Sequence, residues 1–174
     1  RSGRHHVLHL MQRMRERPTT PAAGATRLAD LIERARPNIK RRSAIFVVSD
    51  FISEAGWEAP LARLAQRHDV VAVRLYDPFE MTLPELGLVL MQDAETGEQI
   101  FVDTGARGFR ERFEAAAARR EAELRESLAR AGIDTLELPT DGDLSESILA
   151  FVDARRQRSR LAAGALPLTA RRHA

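Results

Sequence analysis

Two apolar runs of strand length, separated by one helix-length segment, restrict this chain to a parallel α/β sheet. The first is Ala44-Ile45-Phe46-Val47-Val48-Ser49, which carries three β-branched residues and no charge. The second is Val70-Val71-Ala72-Val73-Arg74-Leu75-Tyr76. Runs without polar alternation belong to strands covered on both sides, so both faces of 44–49 are expected to be buried. Between the runs, Leu61, Leu64 and Ala65 share a helical face, and Glu54 to Trp57 are expected to open that helix. Strand, helix and strand over this length make a βαβ unit. Ser49-Asp50 and Asp77-Pro78 then sit at carboxyl ends of parallel strands, on the edge where open α/β sheets bind ligands. Arg74 interrupts the second run and needs a partner or a route to solvent.

The other elements follow from periodicity. Val7, Leu10, Met11 and Met14 predict a helix over 5–15, and Leu28, Leu31 and Ile32 predict one that Thr26 caps and that ends before Pro37. Residues 87–92 and 99–103 read as a hairpin around Glu95-Thr96-Gly97-Glu98. A long helix over 107–131 aligns Phe109, Phe113, Leu124 and Leu128, carries the i,i+4 pairs Glu121–Arg125 and Glu126–Arg130, and stops at Gly132. Ile133 to Leu138 is a third parallel strand, and a last helix from Asp143 is expected to bury Leu144, Ile148, Phe151 and Val152. One domain is expected over 1–156, with a basic, flexible tail over 157–174.

Composition removes several function classes. Cysteine is absent, which excludes disulfides, thiolate metal sites and cysteine nucleophiles. Net charge is only +2, so no strong positive field points to nucleic acid, and the arginines of 155–160 lack interleaved aromatics. No Gly-x-Gly-x-x-Gly, Walker or Gly-x-Ser-x-Gly loop occurs. No apolar run reaches the ~18 residues of a membrane span and no signal peptide is visible, so a cytoplasmic location is expected.

Two clusters resemble metal sites and read better as structure. His5, His6 and His9 have zinc-like spacing but no third ligand or carboxylate nearby, so solvated histidines are expected. Asp143-Leu144-Ser145-Glu146-Ser147 fits Asp-x-Ser-x-Ser, an oxygen-rich cation motif, yet Asp143 with Glu146 also makes a helix capping box. If its strand lies two positions from 44–49, the strand ends are ~10 Å apart, too far for a shared Mg²⁺ that needs oxygens at ~2.1 Å. The cap is the preferred reading. His68-Asp69 precedes a strand and so belongs to the edge opposite Asp50, in a turn role.

Several segments together are similar to a known family. These are Arg42-Ser43 with Val48-Ser49-Asp50-Phe51, then Arg67-His68-Asp69-Val70, Ala72-Val73-Arg74, and Asp77-Pro78 with Glu80, Leu83-Pro84 and Gly87. Glu95-Thr96-Gly97-Glu98 with Val102-Asp103-Thr104 completes the set. From about Gly3 to Arg156 the chain resembles the bacterial domain-of-unknown-function family fifty-eight, which has a von Willebrand factor type A-like fold. The resemblance implies a Rossmann-like parallel sheet with flanking helices, here its carboxyl-terminal portion without the first strands. It implies a protein–protein interaction module rather than an enzyme, a partner of a MoxR-type AAA ATPase in an assembly or chaperone system.

Type A domains build a metal-ion-dependent adhesion site from three segments. Gly24-Ala25-Thr26 resembles the threonine loop, and Ser49-Asp50 resembles the strand-ending aspartate. The Asp-x-Ser-x-Ser segment is expected upstream of Arg1. The resemblance therefore implies an incomplete site with Thr26 and Asp50 as metal residues and Ser49 and Asp77 beside them. Mg or Mn belongs to the intact domain, and no tight metal is expected in this chain. The alternative is a metal-dependent phosphoester hydrolase using Asp50 and Asp77. In the strand order 3-2-1-4-5-6, losing the first strands bares one edge of 44–49, so self-association along that edge or poor solubility is expected.

Overall fold

A computed structural model describes residues 3–16, 27–92 and 97–164. The elements in chain order are α1 (Arg4–Arg15), α2 (Leu28–Ala35), β1 (Ala44–Ser49), α3 (Glu58–Ala65), β2 (Asp69–Tyr76), β3 (Leu88–Gln92), β4 (Gln99–Asp103), α4 (Arg107–Arg130), β5 (Asp134–Pro139) and α5 (Leu144–Gly164). Short 3₁₀ turns follow α2 (Arg36–Asn38) and β2 (Pro78–Glu80). The main sheet has the order β1-β2-β5, and both pairings are parallel. β3 and β4 form a separate antiparallel hairpin in the connection from β2 to α4.

The helices divide unequally over the sheet. Leu28 and Ile32 of α2, Leu61 and Leu64 of α3 and Leu128 of α4 form one core with Val70 and Ala72 of β2 and Ile133. Ile45 and Val47 pack against it from β1. On the reverse side, Val71 and Val73 of β2 meet Leu136 and Leu138 of β5, and Phe151 of α5 packs against them. That helix covers only the β5 side. Phe46 and Val48 therefore remain 61% and 58% exposed, which corrects the expectation that both faces of β1 are buried. An uninterrupted apolar run says that a strand has two greasy faces; whether both are covered depends on the rest of the chain.

Three further expectations are revised. α3 begins at Glu58, so residues 54–57 form a loop, and its Trp57 packs at 5.3 Å between ring centroids on Phe51. The last helix leaves Leu144 57% exposed, because its first turn extends beyond the carboxyl end of β5. It also continues to Gly164, past the boundary placed after Arg156. Arg155 and Arg158 explain the extension: Arg155 bonds Asp69 and lies 3.0 Å from Asp134, and Arg158 lies 2.9 Å from Asp134. The basic segment pins the helix to the amino edge of the sheet. Residues 165–174 lie outside the described residues.

Arg74 finds its partner on α4. Its guanidinium meets Glu121 at 2.8 and 2.5 Å, with both side chains at 5% exposure or less, and its Cζ sits 4.6 Å from the Tyr76 ring centre. Glu121 belongs to the buried stripe of α4 with Ala117 and Leu128. A charged residue in that stripe is tolerated because a fork of donors meets it in the core. Gly132 ends α4 at φ +66, the left-handed position that suits glycine.

Candidate adhesion site at the carboxyl edge

β1 delivers Asp50 to the rim of the sheet as predicted. Asp50 is exposed, and its Oδ1 accepts from the Ile52 N–H at 3.0 Å and from the Ser49 hydroxyl at 3.3 Å. The Ser49 hydroxyl oxygen in turn accepts from the Phe51 N–H at 3.0 Å. This tight turn forces Phe51 to φ +60, unusual for a bulky residue, and burial of its ring against Trp57 holds it there.

The loop after Asp50 reaches the start of α2. Ser53 Oγ accepts from the Leu28 N–H at 3.2 Å, and Arg27 pairs with Glu54 at 2.9 Å. Ser53 thus supplies from a distance the helix-end acceptor that the sequence assigns to Thr26. Thr26, with Gly24 and Ala25, lies outside the described residues. Arg27 and Leu28, which follow it, are tied to the loop three to four residues beyond Asp50.

Asp77 ends the neighbouring strand on the same edge. Ser49 pairs with Arg74, and β2 runs two residues further to Tyr76. Asp77 is thereby staggered two residues along the strand direction, which with one strand spacing separates the α-carbons by about 8 Å. Its Oδ1 accepts from the Phe79 N–H at 2.9 Å and caps the 3₁₀ turn. Asp143 lies beyond β5, with β2 between it and β1. It accepts from the N–H groups of Ser145 at 2.7 Å and Glu146 at 3.0 Å, the capping geometry preferred above.

At the end of β1 the described oxygen-bearing side chains are those of Ser49 and Asp50. Among the described residues no group of three or more His, Asp or Glu side chains is placed to hold a metal ion. A hard divalent cation takes six or more oxygens, so the described donors do not fit a tightly held ion.

Several residues of the family-like signature have structural duties. Thr104 is buried; its hydroxyl donates to the Gly87 carbonyl at 2.9 Å and accepts from the Leu86 N–H at 3.0 Å, closing the base of the hairpin. Gly87 turns at φ +74, and Asp103 accepts from the Gly105 N–H at 2.9 Å. The hairpin they support is unusually apolar outside: Leu88 and Phe101 are each 69% exposed, on the face that also carries Leu90. The sequence reading treated this hairpin as architecture and missed its surface. The strand pattern contained the signal, since neither β3 nor β4 alternates apolar with polar residues.

The opposite edge holds a second gathering of charge. A recess of about 480 Å³ is lined by Arg42, His68, Asp69, Asp134 and Arg155 among others. His68 is buried there, and its Nδ1 lacks a hydrogen-bond partner.

Comparison with known proteins accords with the sequence resemblance. The chain is 35% identical over 159 residues to the uncharacterized protein MAV169 of Mycobacterium avium, covering 90% of this chain and 92% of that one. It is 33% identical to the uncharacterized protein Rv1480 of Mycobacterium tuberculosis, again over 90% of this chain but spanning only 49% of that relative. Among solved structures, the conserved hypothetical protein BatB from Bacteroides thetaiotaomicron matches with a TM-score of 0.40 at 16% identity, covering 77% of this chain and 60% of that one. The family model for the protein of unknown function DUF58 matches residues 1–123, and the chain belongs to that family.

Proposed function

We propose that this chain is a protein-binding module of von Willebrand factor type A character, working with a MoxR-type AAA ATPase in an assembly or chaperone system. The observation that carries the binding reading is the exposed apolar face of the hairpin, where Leu88, Leu90 and Phe101 stand clear of both cores. Contiguous exposed apolar surface on a folded domain marks interaction sites. The hairpin leaves the sheet from the carboxyl end of β2, the edge that also carries Asp50. An acidic rim beside an apolar blade suits a protein partner better than a small substrate.

Within this reading Thr26 and Asp50 are an incomplete adhesion site. The phosphoester hydrolase alternative needs Asp50 and Asp77 on one cation, whereas each commits an oxygen to its own turn, Asp50 to the Ile52 N–H and Asp77 to the Phe79 N–H. The test is binding to a purified MoxR-type ATPase measured by interferometry. Phe101→Asp is expected to weaken it about tenfold or more, as loss of an apolar anchor does. No binding by the unaltered chain refutes the partner, and equal binding by the variant refutes the surface. Calorimetry with Mg²⁺ or Mn²⁺ is expected to show no tight site; micromolar binding abolished by Asp50→Ala would overturn that.

A further inference from the structure

We propose that the basic recess between the α2–β1 connection and α3 binds a chain of linked phosphates, either a free polyphosphate or the phosphate tail of a nucleotide. Residues 34–43 hold five cations, Arg34, Arg36, Lys40, Arg41 and Arg42, and no acid. The whole chain has a net charge of only +2, so everything outside this segment is net negative. The average conceals a local excess. The last turn of α3 adds Arg63, and Arg67 follows that helix.

The fold brings the two groups together. A recess of about 620 Å³ is lined by Arg36, Lys40, Arg63 and Arg67, with Pro37 and Ile39 as its apolar part. α2 and α3 share one core over the same face of the sheet, and Arg63 reaches across to Glu33 of α2 at 2.5 Å. Both walls are therefore built from the connection into β1 and the crossover from β1 to β2, and neither is the outer edge of β1. The recess lies at the amino edge of the sheet, opposite Asp50 and the hairpin, so it stands or falls apart from the partner-binding reading.

The charges exceed what the fold itself uses. Cations near helix C-termini offset a partial charge of about −0.5 at each end. Two helix ends and Glu33 together come to roughly −2, whereas four cations line the recess. Glu33 engages Arg36 at 3.5 Å and Arg63. Among the described residues no acid pairs with Lys40, Arg41, Arg42 or Arg67, and all four side chains are exposed. Unpaired like charges gathered in one concavity repel one another and favour an anion between them. Guanidinium forks match phosphate oxygens two at a time, and the Lys40 ammonium adds a point charge. The volume falls in the range of about 300–1,000 Å³ found for small-molecule sites, more than a lone phosphate fills. No aromatic side chain lines the recess to stack a base, so recognition rests on the phosphates.

Calorimetry on the full chain at low ionic strength, with sodium tripolyphosphate as the probe, tests this. Binding is expected in the micromolar range, with orthophosphate at least tenfold weaker. Lys40→Ala and Arg67→Ala touch no ion pair of the fold and should each weaken tripolyphosphate about tenfold. Arg119→Ala removes an equally exposed charge from α4, outside the recess, and should leave binding unchanged. ATP as a second probe identifies the source: binding equal to or tighter than tripolyphosphate assigns a nucleotide tail, weaker binding a free polyphosphate, and both uphold the site. No binding of either probe overturns the proposal. So does equal affinity for orthophosphate, or an equal loss in Arg119→Ala, since either reduces the effect to general charge attraction. A DNA duplex bound through Lys40 and Arg67 that tripolyphosphate does not displace also overturns it, in favour of a nucleic acid.

Discussion

Removing the Glu121 carboxylate should be among the most damaging single changes this fold can suffer. Arg74 is 3% exposed and Glu121 4%, so Glu121→Ala strands a guanidinium under α4 with no counter-charge. Tyr76 offers its ring face and little more. Breaking one side of a buried pair costs about 3–5 kcal/mol, a large share of the roughly 5–15 kcal/mol that holds a domain together. For a chain of this size that lowers the melting temperature by roughly 6–20 °C. Arg74→Met combined with Glu121→Leu removes both charges and keeps the volume, and it should fall close to the unaltered protein or above it. Urea unfolding of the four proteins in a double-mutant cycle gives the coupling energy directly. A Glu121→Ala cost below about 1 kcal/mol would refute the argument, because it would mean that water reaches Arg74 and the pair behaves as a surface contact.

Other expectations follow from single contacts. Asp143→Ala removes the acceptor for two N–H groups at the start of α5 and should cost about 0.5–2 kcal/mol in the same assay, with Asp143→Asn recovering most of it. The hydrogen bond from Arg63, helped by the charge of Arg36, holds the Glu33 carboxyl below its ordinary value of 4.5. Its contribution to stability is therefore present above that value and lost as pH falls through the lowered one. A carboxyl-carbon NMR titration should show Glu33 moving back toward 4.5 in Arg63→Met.

The sequence was most informative where the determinant is local. The apolar runs located β1 and β2, alternation located β5, helical spacing located α1 and α4, and Asp143 with Glu146 identified a cap two and three residues away. The three-strand order agrees with the parallel end of a doubly wound sheet, and Asp50 sits at the rim as its strand position demanded. What failed was long-range. The partner of Arg74 is 47 residues away, on a helix face whose visible pattern was aromatic and aliphatic. Glu121 was read as the i,i+4 partner of Arg125, and it does approach that residue at 3.7 Å, but its main bond runs inward to Arg74. The exposure of Phe46 depends on which side α5 chooses, a decision that no residue of β1 encodes. Asp50 and Asp77 do share the carboxyl edge as the sequence placed them, but the two-residue stagger between them needed the strand register.

The way α5 is fastened has mechanical consequences. Its hold on the sheet is concentrated in one ring, Phe151, and in the two arginines that reach the acids at the far rim. Ionic fastenings near the surface slacken as salt rises, while a ring lodged among aliphatics does not. A helix attached in this manner is expected to loosen from its basic half first when ionic strength rises or Asp134 is lost, while Phe151 stays seated.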